Sequence, residues 1–112
     1  MFPHPNSIVK IALTGSRDSD FTAAFRKSGI NRNGAIGYTW HHVADFNPVT
    51  GHSTFQLVKT NTHVMSLPHQ GSVSQFEKYF QVEYDTYEAK MVAYMKGWRE
   101  TAPQHRKQKT TC

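Results

Sequence analysis

Five of the seven histidines in the chain fall within residues 37–71, and they are His41, His42, His52, His63 and His69. Imidazole is the commonest neutral metal ligand and the usual general base near neutral pH. Three imidazoles with one open coordination position suit Zn²⁺, Ni²⁺ or Cu²⁺, and a fourth beside them can activate water. This group of residues therefore has the chemistry that a metal-assisted phosphodiesterase requires.

A hairpin is predicted to position the first three of these histidines. Residues 38–43 are rich in aromatic and β-branched types, which favour a strand. Asn47, Pro48 and Gly51 are turn formers, and residues 54–58 form a second short β-type run. The pattern indicates strand, turn and strand.

A short helix is predicted to follow the hairpin and to carry His63. Thr60 or Asn61 can cap its start, and Pro68 and Gly71 end it. A hairpin followed by a helix brings the paired histidines of the first strand towards His63.

Geometry restricts how these side chains can meet. Adjacent strand residues face opposite sides, so His41 and His42 share a site only at a strand end, a bulge or a strongly twisted turn. We predict such an irregularity there. His63 and His69 are too far apart for one helical face, so His69 must come from just beyond the helix end.

The N-terminal part predicts a strand over residues 7–13 and a helix over residues 20–28, capped by Asp18 or Ser19 and closed by Gly29. A long helical pattern then begins at Ser72 or Ser74, with aromatic and Met residues spaced at three and four. We interpret this stripe as packing.

The C-terminal pattern is compatible with one helix or with two helices broken near residues 82–85. With 112 residues, the chain predicts one domain. We expect this domain to consist of a core at about 8–71, a C-terminal helical extension at 72–100 and a basic tail at 101–112.

Composition favours a polyanionic partner, because the formal net charge is +5 and the pI is near 9.5. Cys112 is the single cysteine, which excludes an internal disulfide framework and a Cys-based zinc site. We find no signal peptide and no segment approaching the roughly 20 apolar residues of a membrane span.

Three segments carry a resemblance to a known family: IVKIALTGSRDSDFTAAFRKSGI, GYTWHHVAD and FQLVKTNTHVMSLPHQGS. They resemble the HNH nuclease superfamily, and within it the WHH-type nuclease domains of bacterial polymorphic toxins. The resemblance covers roughly residues 8–71. It implies an α+β fold with a ββα-metal (His-Me finger) core, preceded by a strand and a helix and followed by a long C-terminal helical segment.

The resemblance also implies roles for four histidines. His41, His63 and His69 match metal ligands, and His42 matches the general base. The implied reaction is phosphodiester hydrolysis with one divalent metal ion. Zn²⁺ is favoured on affinity, and Mg²⁺, Mn²⁺ and Ni²⁺ stay open.

The chain departs from the superfamily motif at its middle asparagine, which pins the loop between the two strands. By spacing from His63, this position falls near Thr54. Asn47 is a substitute candidate.

Cationic residues are predicted to contact the substrate. Arg17 follows the first strand, where its guanidinium can clamp the scissile phosphate with two hydrogen bonds. Phosphate contacts are also predicted for Arg26, Lys27, Arg32 and Lys59. Such contacts carry no sequence information, so we expect little sequence preference.

These features together predict an endonuclease that cuts DNA. The resemblance implies the toxin domain of an antibacterial effector, secreted as part of a larger toxin and acting in the cytoplasm of a target cell. It also implies a cognate immunity protein, which we expect to be acidic. The alternatives are an RNase or nicking enzyme with the same site, a non-catalytic zinc-stabilised nucleic-acid-binding module, and an inactive scaffold.

Overall fold

The computed structural model describes residues 1–60 and 71–104 of the chain. Its elements follow in the order β1 (Ile8–Ala12), α1 (Arg17–Ser28), a 3₁₀ helix (Arg32–Ala35), β2 (Tyr38–His42), β3 (His52–Lys59), α2 (Ser72–Phe80) and α3 (Tyr87–Met95). The predicted α+β class is confirmed. The helix predicted to carry His63 lies outside the described residues, so the last element of the ββα-metal core stays a prediction.

The sheet has the strand order β1-β3-β2, and both strand pairs are antiparallel. β2 and β3 form the predicted hairpin, in which Trp40 lies opposite Leu57 and His42 lies opposite Phe55. All four side chains are buried, because alternate residues of a strand face the same side of the sheet. α1 covers this face, and its Phe25 ring lies 5.5 Å from the Trp40 ring.

α1 begins three residues earlier than the sequence predicted, because its N-cap is Ser16 rather than Asp18 or Ser19. Ser16 has an extended backbone, and its side chain accepts a hydrogen bond from the Ser19 amide. Asp20 therefore lies inside the helix, where it is fully buried. The helix ends at Gly29 as predicted, with a left-handed φ of 74°.

The helical segment predicted for residues 72–100 is two nine-residue helices, α2 and α3, rather than one long helix. α2 ends because Gln81 adopts a left-handed backbone with φ 60°, and its amide donates to the Glu77 carbonyl. α3 restarts after Thr86, whose side chain accepts from the Ala89 amide. None of the helices described above has the length and apolar character that crossing a bilayer requires.

Aromatic residues of the C-terminal half pack against one another and against the loop after β2. Phe76 of α2 is fully buried. Its ring lies 4.9 Å from Phe80 and 5.1 Å from Tyr84. It also lies 5.6 Å from Phe46 and 6.5 Å from Trp98. Ring pairs at these separations stabilise a core, so this part of the aromatic and Met stripe is packing, as the sequence predicted. Tyr94 and Met95 at its end are exposed instead.

Candidate active site

A pocket of about 210 Å³ opens where the start of α1, the end of β2 and the start of α2 meet. Three predicted site residues, His41, His42 and Arg17, line it together with Glu77. A larger groove of about 440 Å³ lies between α1 and residues 98–101, and neither histidine lines it. These three predicted site residues therefore meet at the smaller pocket.

The two adjacent histidines border one pocket because β2 ends there. The β2–β3 strand pairing continues to His42, which lies opposite Phe55, and no residue is inserted in β2. The irregularity predicted at His41 and His42 is therefore a strand end and not a bulge. His42 is only 7% exposed and shares the core side of the strand with Trp40, whereas His41 alternates with them and is half-buried. The start of α2 closes against this strand end: a Cβ on Gly71 would lie 2.4 Å from the His42 carbonyl oxygen.

His42 is held by a carboxylate that comes from α1. Its Nε2 lies 3.0 Å from Oδ2 of Asp20, and both side chains are buried. The imidazole also packs against Phe55, with 4.4 Å between ring centroids, and against Phe21, with 5.9 Å. The ring is therefore fixed in orientation at the edge of the pocket.

Asp20 accepts hydrogen bonds from three separate parts of the chain. Its Oδ1 lies 2.8 Å from the Thr14 amide and 2.8 Å from the Thr14 hydroxyl. Its Oδ2 accepts from His42 and from the Tyr84 hydroxyl. A fully buried carboxylate is stable only when such donors replace water, so this network binds α1, β2 and the segment between α2 and α3 together.

The Tyr84 hydroxyl, which donates to Asp20, lies in the segment between α2 and α3. The sequence predicted no role at the site for this segment. Burial, and next the negative charge of Asp20, raise the pKa of the Tyr84 hydroxyl well above its ordinary value. The hydroxyl therefore stays protonated and donates to Asp20, while it accepts from the Gly15 amide at 3.2 Å. Gly15 has φ 87°, and a Cβ there would lie 2.5 Å from the Ala89 carbonyl oxygen, so the close approach of α3 requires glycine.

Arg17 lies at the mouth of the pocket and is held by the same C-terminal segment. Its guanidinium forms an ion pair with Asp85, and its amide donates to Oδ1 of Asp85 at 2.6 Å. The guanidinium also lies 5.7 Å from the centre of the Tyr84 ring. The Arg17 side chain is 49% exposed, so it can reach a phosphate at the pocket while the ion pair orients it.

The predicted metal set is described only in part. His63 and His69 lie outside the described residues, so the structure places one predicted ligand, His41, at the pocket. Over residues 1–60 and 71–104, no three His, Cys, Asp or Glu side chains form a group that fits an ion. The described donors thus fit a metal only if His63 and His69 complete the set, as predicted.

The four other predicted phosphate contacts are not among the described residues that line this pocket. Arg26 borders the larger groove, and Lys27 follows it, exposed, in the last turn of α1. Arg32 lies over the Phe25 ring, 4.8 Å from its centre. Lys59 is exposed at the end of β3. They are exposed cations, and a contact with a long substrate remains a prediction for each.

Residues 32–79 match the family model WHH, described as a nuclease of the HNH/ENDO VII superfamily with conserved WHH. This segment belongs to the WHH nuclease family. The resemblance to a WHH-type nuclease of the HNH superfamily is thereby confirmed over these residues, and Trp40, His41 and His42 are its WHH motif. The resemblance to toxin domains stays a prediction. No curated protein and no solved structure matches the chain. The WHH match begins after α1, so Asp20 and Arg17 lie outside it.

The loop of the WHH hairpin is pinned by two residues in place of the superfamily asparagine. Asp45 accepts from the Thr54 hydroxyl at 2.6 Å and from the Thr54 amide at 2.9 Å. Asn47 accepts through its side chain from the Val49 amide at 2.8 Å, and its carbonyl accepts from the Gly51 amide at 2.6 Å. Thr54 occupies the expected position, but it donates to a carboxylate rather than pinning the loop alone.

We expect Asp45→Asn to destabilise the WHH hairpin by about 1 kcal/mol or less, since Asp45 is exposed and its hydrogen bonds are screened by water. Partial burial alone would raise the pKa of Asp45, but hydrogen bonds from Thr54 and Ser53, with the charge of Lys10, lower it on balance. A lowered folded-state pKa stabilises the fold above the unfolded-state pKa, and this is lost as pH falls through the folded-state value.

Urea unfolding of both proteins at neutral pH and at acid pH measures this effect. The difference between wild type and Asp45→Asn should shrink in acid. An equal difference at both pH values would show that the Asp45 charge contributes nothing.

Sequence reasoning missed three residues of this site: Asp20, Tyr84 and Asp85. We placed Asp20 at the start of a helix and Tyr84 in the packing stripe. The contact from Asp20 to His42 spans 22 residues and the contact to Tyr84 spans 64. No local spacing signals such contacts. The one local signal was helical spacing, which places Asp20 on the same side of α1 as Ala24 and Ser28, and all three are buried.

Proposed function

We propose that the chain is a metal-dependent endonuclease that hydrolyses phosphodiester bonds of DNA with little sequence specificity. One observation carries this proposal. The His42 imidazole of a WHH segment is held by a buried carboxylate at the edge of a pocket that Arg17 also lines. A fixed imidazole beside an exposed guanidinium supplies a general base and a phosphate-binding group within one pocket.

Each side chain then has one task in the reaction. His42 takes a proton from a water molecule as the water oxygen forms a bond to phosphorus. The bond from phosphorus to the 3′ oxygen breaks, and the leaving oxygen takes a proton from solvent. Arg17 binds a non-bridging phosphate oxygen and orients the substrate. A divalent ion held by His41, with His63 and His69 as further ligands, would stabilise the negative charge that develops on the phosphate.

The charge of the chain supports a nucleic-acid substrate. A formal net charge of +5 attracts a polyanion and raises its rate of association. Arg26, Lys27, Arg32 and Lys59 are exposed cations that would contact phosphates along a long substrate. Phosphate contacts position a duplex without reading its sequence, which is the basis for the proposed lack of specificity.

The biological setting is also part of the proposal. We place the domain at the end of a larger secreted toxin that acts in the cytoplasm of a target bacterium. Its producer would need an immunity protein, and a basic nuclease surface favours an acidic one. Support comes from the resemblance of the sequence to polymorphic-toxin nucleases and from the basic charge.

The decisive experiment incubates the purified protein with supercoiled plasmid and, separately, with RNA. Each substrate is tested with EDTA and with Zn²⁺, Mg²⁺, Mn²⁺ or Ni²⁺. We expect plasmid cleavage with at least one metal and none with EDTA. Cleavage of RNA alone would establish the RNase alternative. An intact plasmid and intact RNA under every condition, together with binding to both, would support a non-catalytic module.

Arg17→Ala is expected to lower kcat/KM for plasmid cleavage about 10–100-fold, because a charge-assisted hydrogen bond contributes roughly 1.5–3 kcal/mol. The fold should persist, since exposed ion pairs such as Arg17–Asp85 contribute only about 0–1 kcal/mol. Lys78→Ala is the matched control, because Lys78 is an exposed cation that does not line the pocket. Equal effects of the two changes would mean that Arg17 acts only through net charge.

A further inference from the structure

We propose that Asp20 is a positioning residue that fixes the tautomer of His42, so that Nδ1 is the nitrogen that accepts the proton in the proposed reaction. The inference rests on the proposed function for its catalytic consequence. Its structural content, which nitrogen of His42 carries hydrogen, stands independently of any activity.

The donor and acceptor chemistry of the pair determines the tautomer. A carboxylate oxygen only accepts hydrogen bonds, and a neutral imidazole has one N–H and one bare nitrogen. Oδ2 of Asp20 lies 3.0 Å from Nε2 of His42, so Nε2 must carry the hydrogen. Nδ1 then keeps the lone pair, which is what a general base needs.

The other partners of Asp20 exclude a different arrangement. The Thr14 amide and hydroxyl both donate to Oδ1, and the Tyr84 hydroxyl donates to Oδ2. The Gly15 amide in turn donates to the Tyr84 hydroxyl oxygen, and the raised pKa of Tyr84 keeps that hydroxyl protonated. Three donors besides His42 therefore point at the two oxygens of Asp20, and none of them needs a proton from this carboxyl group.

A structural role alone would not need this arrangement. Removing a donor from a buried carboxylate is strongly destabilising, yet apolar residues of similar volume often stabilise a core equally well. A buried carboxylate gives a histidine at a pocket edge a fixed orientation and a defined bare nitrogen, as carboxylates do for catalytic imidazoles in other enzymes. The WHH match covers residues 32–79. Thr14, Asp20 and Tyr84 lie outside it, so segments before and after the matched region would supply the groups that hold His42.

Asp20→Asn is the test, because the amide has nearly the same shape but presents a donor to His42. Its oxygen can still accept from Thr14, while its NH₂ faces Nε2 and favours hydrogen on Nδ1 instead. Thr14→Val is the matched control, since it removes one donor to Oδ1 and leaves the contact with His42 intact. Both variants are expected to lower stability, which thermal unfolding measures.

The two readouts separate positioning from structure. Nitrogen NMR of the histidine rings, in alkaline buffer with Zn²⁺ as a diamagnetic ion, should show hydrogen on Nε2 of His42 in wild type and in Thr14→Val. It should show hydrogen moved to Nδ1 in Asp20→Asn. In plasmid cleavage, only Asp20→Asn should lower kcat by at least about tenfold, with KM little changed, since a general base contributes roughly 10²–10⁴-fold.

Failure of this inference differs from failure of the proposed function. Hydrogen on Nδ1 of His42 in wild type, or an unchanged tautomer and kcat in Asp20→Asn, would overturn the positioning role even if plasmid is cut. A wild type that cuts no substrate would overturn the nuclease proposal, and the NMR result would still decide which nitrogen Asp20 holds.

Discussion

His42→Gln should abolish plasmid cleavage, with a loss of about 10²–10⁴-fold or more in kcat, while the protein stays folded. The physical reason is that the glutamine amide can still donate to Asp20 but has no basic nitrogen to take a proton from water. His42→Ala should lose the same activity and also some stability. It removes a donor from a buried carboxylate and leaves a cavity beside Phe55.

Comparing the two His42 variants distinguishes catalysis from structure. His52→Gln is the control, because His52 is exposed at the start of β3 and does not line the pocket. We expect wild-type cleavage from it. Cleavage by His42→Gln at the wild-type rate would mean that another group is the base. Loss of bound metal together with activity would assign His42 to the metal site instead.

Phe76→Ala should destabilise the protein by about 3–5 kcal/mol, the range for removing a buried Phe ring. For a domain of this size the melting temperature would fall by roughly 12 °C or more. Phe76 is fully buried and lies in ring contact with both the loop after β2 and Tyr84. Loss of the Phe76 ring should therefore weaken the packing of the C-terminal helices against the rest of the protein. It should also weaken the hydrogen-bond network around Asp20, because Tyr84 belongs to both.

Tyr79→Ala on the same helix provides the comparison, because Tyr79 is 62% exposed. Its melting temperature should change far less. If the two variants melted at similar temperatures, residues 72–100 would be an appendage rather than part of the core that supports the site. A parallel loss of cleavage in Phe76→Ala, at a temperature where it is still folded, would link this packing to the position of His42.

The sequence alone was sufficient for the hairpin and for the family. Strand propensity and turn residues locate β2 and β3 because both signals are local, and the WHH motif is contiguous. The Gly29 end of α1 and the packing role of the aromatic stripe were predictable for the same reason. The start of α1 was not predictable, because Ser16, Asp18 and Ser19 are all residue types that cap helices well. Only the extended backbone of Ser16 in the folded protein shows that it is the N-cap.

Only the tertiary structure decided which groups hold the His42 side chain. The break between α2 and α3 depends on left-handed backbone at Gln81 and Asp85, conformations that no residue type there demanded. The segment between the two helices places the Tyr84 hydroxyl in a hydrogen bond with Asp20, and it places Asp85 in an ion pair with Arg17. Residue types and spacing thus determined which side chains can do chemistry. Their partners depend on contacts across 22 to 68 residues, which arise from burial and not from local pattern.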